Sequence, residues 1–66
     1  MTKAARVETA RVIFAEITGL LEDATLVAAE GQAASDLATA RQTCDRLLGQ
    51  IDACIEQLHL LRRSLA

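Results

Sequence analysis

Residues 37–65 read LATARQTCDRLLGQIDACIEQLHLLRRSL, and this stretch decides the fold. Apolar side chains stand at Leu37, Ala40, Cys44, Leu47, Ile51, Cys54, Leu58, Leu61 and Leu65, in steps that alternate three and four without a miss. Such a heptad marks a helix packed lengthwise on another helix, because a 3.5-residue repeat keeps one stripe aimed at its neighbour. Upstream the rule repeats at Val7, Ala10, Phe14, Ile17, Leu21, Ala24 and Ala28. Between the two stretches lies Glu30-Gly31-Gln32-Ala33-Ala34-Ser35-Asp36. Gly31 suits a left-handed residue closing the first helix, and Ser35 or Asp36 offers an oxygen to the free N–H groups that open the second. The pattern predicts helix 1 over about 3–30 and helix 2 over about 35–65, folded back as an antiparallel hairpin in a single domain, 1–66.

Composition agrees with an all-α fold. Apolar residues make up 52% of the chain. Ala and Leu dominate them, Pro, Trp and Tyr are absent, and Phe14 is the only aromatic residue. Helices use this mixture and strands do not. A chain of 66 residues is also short for burying a core alone, so a partner subunit is expected. Each apolar stripe is wider than one neighbour covers. Ile13, Leu20 and Val27 broaden helix 1, and Leu48 and Ile55 broaden helix 2. The economical solution is a homodimer of hairpins forming a four-helix bundle. Its expected core is Val7, Phe14, Ile17, Leu20, Leu21, Val27, Leu37, Cys44, Leu47, Leu48, Ile51, Cys54, Ile55, Leu58, Leu61 and Leu65.

Charge suggests how the hairpins meet. The end that holds both termini carries Lys3, Arg6, Arg11, Arg62 and Arg63 against Glu8, whereas the remainder of helix 1 carries Glu16, Glu22, Asp23 and Glu30. Head-to-tail pairing brings opposite signs together, which predicts an antiparallel homodimer. The five basic residues also form the candidate docking patch for another protein. A net charge of −2 argues against general nucleic-acid binding, which needs a dense basic face. Apolar runs such as Val12-Ile13-Phe14-Ala15 fall far short of the ~20 residues of a membrane span. Charged residues at Arg6, Glu8, Arg11 and Glu16 break any secretory signal, and Glu8 argues against a transit peptide. A cytoplasmic protein is expected.

Catalytic patterns are missing. The chain has no Gly-rich phosphate loop, no Cys–His pairing on one face and no buried carboxylate pair, so no enzyme, cofactor or small-molecule substrate is expected. Glu56-Gln57-Leu58-His59 has the Glu-x-x-His spacing of carboxylate di-metal bundles, but the heptad phase turns Glu8, Glu56 and His59 outward, and no metal site is expected. Cys44 and Cys54 lie too far apart along one helix to bridge, and both are expected as buried thiols. Gly19, Gly49, Val12, Leu26 and Leu60 map to the outer face.

Two resemblances bear on function. Leu58-His59-Leu60-Leu61-Arg62-Arg63 looks like the phosphoacceptor box of histidine kinases and phosphotransfer domains, which implies a carrier role for His59. It departs from that pattern in lacking an acid after His59 and in placing Arg63 where a Gly is usual. The length, the hairpin plan and the Met1-Thr2-Lys3 start resemble the Rop family of plasmid copy-number regulators. That resemblance implies RNA-loop binding by a helix-1 face, with Lys3 and Phe14 in corresponding places, while Ala10, Thr18 and Thr25 depart from the expected amide and basic residues. The reading that absorbs most residues is a small, non-enzymatic interaction or regulatory protein.

Overall fold

A computed structural model describes residues 2–66. Two helices, α1 (Lys3–Gln32) and α2 (Leu37–Leu65), pack side by side as the expected antiparallel hairpin. Both start on side-chain caps. The Thr2 hydroxyl accepts from the Ala5 N–H at 3.1 Å, and the Asp36 carboxylate accepts from the Thr39 N–H at 2.7 Å. Each cap satisfies an N–H that the helix itself leaves free.

The turn differs from expectation. Gly31 lies inside α1, and no described residue has positive φ. Helix α1 continues to Gln32 and closes at Ala33, where the Ala33 N–H donates to the Glu30 carbonyl and the Ala34 N–H to the Gly31 carbonyl. Gly31 serves packing instead, since a Cβ added there would stand 3.2 Å from the Thr43 methyl. The second turn of α2 thus presses close to the last turn of α1.

The seam between the helices is narrow. From α1 it takes Ala10, Ile13, Ile17, Leu20, Ala24 and Val27; from α2 it takes Thr43, Leu47, Gln50, Cys54, Gln57 and Leu61. Here the structure corrects the assignment of the helix-1 flanks. Ile13, Leu20 and Val27 fill the seam, and it is Val7, Phe14, Leu21 and Ala28 that stand outside it. The reason is the hand of the hairpin. A two-helix contact selects one side of a three-row stripe, and periodicity is the same for either side. Cys54 is buried as expected, whereas Cys44 is exposed. No described side chain of large volume is fully buried. The hairpin measures 53 × 15 × 9 Å, a single layer of two rods.

Candidate interaction surface

Along each helix the row next to the seam turns to the same side. Antiparallel packing at heptad spacing puts these flanking rows side by side. On α1 the row is Val7, Phe14, Leu21 and Ala28; on α2 it is Leu37, Cys44, Ile51, Leu58 and Leu65, with Leu48 and Ile55 beyond it. All of these residues are exposed, from 37% at Ile51 to 74% at Leu37 among the large ones. Away from this face the surface is mixed: Glu30 and Arg46 pair at 2.9 Å, and Val12, Leu26 and Leu60 stand exposed as separate apolar residues. One side is therefore apolar over the length of the molecule, and the rest carries scattered apolar residues among polar ones.

The apolar side has relief. Near the termini, Phe14, Leu58, Leu61 and Leu65 line a broad cleft of about 570 Å³ with Arg62 at its rim. Near the turn, Ala28, Gly31, Ala40, Thr43, Cys44 and Leu47 line a smaller one of about 230 Å³. Its walls are small residues. Thr18 and Thr25 donate their hydroxyls to the carbonyls of Phe14 and Leu21 one turn back, so these threonines spend their polarity on their own helix.

The magnitude of the exposure matters. A compact 7.1 kDa monomer is expected to show roughly 4,100 Å² to solvent. This chain shows 5065 Å². The excess, about 1,000 Å² over the whole elongated chain, is of the order of the ~800 Å² that each partner contributes to a standard interface.

The basic end is less uniform than its sequence suggests. Arg6 reaches across the hairpin to cap α2, donating to the Ser64 carbonyl from Nε (3.3 Å) and Nη2 (3.2 Å) and to the Ala66 carbonyl at 2.8 Å. Its charge thereby sits against the negative end of the α2 dipole. Arg11 lies 3.8 Å from Glu8 in an exposed pair of little energetic weight. Lys3, Arg62 and Arg63 form no ion pair among the described residues. Glu8, Glu56 and His59 are exposed, and they join no cluster of metal-ligating side chains among the described residues.

The seam side of α2 is polar at every seventh residue: Thr43, Gln50, Gln57 and Ser64. Thr43 and Ser64 donate back to the carbonyls of Thr39 and Leu61. Gln50 does less well, because its Oε1 is buried with no hydrogen-bond partner among the described residues. The apolar heptad through Leu47, Cys54 and Leu61 outweighs these polar positions in any periodicity count, which hides them. Compared with protein-family models, curated proteins and solved structures, the chain matches none.

Proposed function

We propose that the protein is a non-enzymatic, self-associating helical module of the cytoplasm. Two hairpins close their apolar sides on each other as a head-to-tail four-helix bundle, and the outer surface of that bundle docks a partner polypeptide. The supporting observation is the continuous apolar side, whose large residues stand 37–74% exposed from Ile51 to Leu37. Water contact along that side is costly, and a second copy removes it from both chains at once.

Charge favours the head-to-tail arrangement. The end with Lys3, Arg11, Arg62 and Arg63 meets the end with Glu22, Asp23 and Glu30. Each such contact is weak in water, but their sum biases orientation. Lys3, Arg62 and Arg63, which form no ion pair within their own hairpin among the described residues, suit an acidic segment of a protein partner.

Sedimentation at micromolar concentration is the deciding measurement. The expected species has twice the 7.1 kDa mass of one chain. A cooperative, well-folded species of 7.1 kDa would overturn the proposal. For the partner, pull-down with Arg62→Glu/Arg63→Glu as control should lose a polypeptide that survives nuclease. Capture that disappears with nuclease, or an acid-labile phosphate on His59, would instead assign the protein to RNA regulation or phosphotransfer.

A further inference from the structure

We propose that Phe14 is the residue that sets the direction of self-association: it seats in the turn-end cleft of a second copy, the one walled by Ala28, Gly31, Ala40, Thr43, Cys44 and Leu47. The inference rests on the reading that a second copy covers the apolar side, and adds which residue meets which.

Spacing carries the argument. On α1, Phe14 and Ala28 each lie seven residues from Leu21; on α2, Leu58 and Cys44 each lie seven from Ile51. Leu21 and Ile51 are level with each other, because the hairpin pairs Arg6 with Ser64 at one end and Gly31 with Thr43 at the other. A two-fold axis through this level turns one copy end over end and lays α1 on α1 and α2 on α2. Phe14 then meets Ala28 of the second copy, and Leu58 meets Cys44. Leu65 meets Leu37, which is 74% exposed in its own hairpin.

Size makes this register selective. The large pair Phe14/Leu58 falls on the small pair Ala28/Cys44, so these layers interdigitate at even density. A cavity of ~150 Å³ already holds a benzene ring, and the cleft offered to Phe14 is about 230 Å³. Head-to-head pairing at the same level does the reverse. Phe14 and Leu58 would crowd Leu58 and Phe14 of the second copy, while Ala28 and Cys44 would face their like across a void.

A double-mutant cycle tests the contact. Within one chain Phe14 and Ala28 are about 21 Å apart along the helix, well beyond the range at which substitutions couple. Phe14→Ala and Ala28→Phe should each weaken the dimer at least tenfold. The swap Phe14→Ala/Ala28→Phe should return to within threefold of the parent, because it rebuilds the same large-on-small pair. Additive losses in the swap, or tighter binding by Ala28→Phe alone, would overturn the inference. A second measurement does not depend on those substitutions. With both native cysteines kept, a spin label attached through a bio-orthogonal side chain in place of Glu8 should report a label-to-label distance of roughly 40 Å in the head-to-tail dimer. A distance near 20 Å, the width of the bundle, means head-to-head pairing and sinks the inference while leaving self-association intact. A parent chain that sediments as a monomer instead removes the proposal on which it rests.

Discussion

Gln50 is the least comfortable residue of the hairpin. Its amide oxygen has left water and gained no donor among the described residues, a situation that costs about 1–3 kcal/mol. Gln50→Leu should therefore raise the stability of the fold by about 1 kcal/mol, seen as a higher denaturation midpoint at unchanged m-value. A lower midpoint would mean that the assembled protein supplies a donor. The three glycines sort in the same local terms. Gly19 and Gly49 have nothing within 4 Å of an added Cβ, whereas at Gly31 it meets the Thr43 methyl at 3.2 Å. Gly19→Ala and Gly49→Ala should each add about 0.5–1 kcal/mol from helix propensity. Gly31→Ala should gain nothing, because the crowding offsets the propensity. Thermal melts of the three variants decide this, and a loss at Gly19 or Gly49 would point to a chain that approaches closely there. The heptad phase already turns Gly19 and Gly49 outward; the contact of Gly31 with Thr43 is what the sequence does not reveal, because there the glycine suits a helix-closing turn equally well.

At the level of the element, the helices themselves were legible. The heptads, the absence of Pro and the Asp36 cap all point to the helices found, with bounds shifted by two residues at the turn. What the pattern lacks is the choice of side. Three adjacent apolar rows on α1 share one period, and only the packed hairpin reveals that Ile13 and Leu20 face α2 while Phe14 and Leu21 do not. The helix ends yield two predictions. Arg6 closes α2 through three hydrogen bonds to two carbonyls. Arg6→Ala should cost about 1 kcal/mol, and Arg6→Lys should recover only part of it, since a point charge lacks the planar fork that spans both acceptors. Fraying of α2 by amide exchange near Ser64 is the readout. At the other end, the hydrogen bond from the Thr39 N–H, then that from the Thr39 hydroxyl, hold the Asp36 carboxyl below the usual aspartate value. A depressed folded-state pKa means that the cap contributes fully above the unfolded value and is lost as the pH falls through the folded one. The start of α2 should loosen on acidification into that range. Asp36→Asn, which caps without titrating, should remove this part of the acid response, and an unchanged response would exclude the cap as its source.

The whole molecule poses the question its parts leave open, which is how an elongated layer of two rods stays folded. Too little apolar surface lies inside one hairpin, so folding and pairing should be coupled and the melting temperature should rise with chain concentration. Orientation can be tested by charge as well as by size. The end-over-end register that places Phe14 on Ala28 also brings Arg41 level with Arg62 of the second copy, on the same edge of α2. This is the one local contact in which head-to-tail pairing sets like charges together, against the favourable trend of the two ends. Arg41→Glu converts two repulsive contacts per dimer into two attractive ones, each worth ~0–1 kcal/mol at an exposed site. The variant should dimerise several-fold more tightly at low salt, and the gain should fade as ionic strength shortens the screening length. Head-to-head pairing makes a different forecast, because Arg41 then lies level with Gln32 of the second copy, a neutral neighbour. In that arrangement the substitution leaves affinity and its salt dependence nearly unchanged. Dissociation constants of the parent and Arg41→Glu chains at two salt concentrations therefore separate the two directions of pairing without disturbing a single core residue.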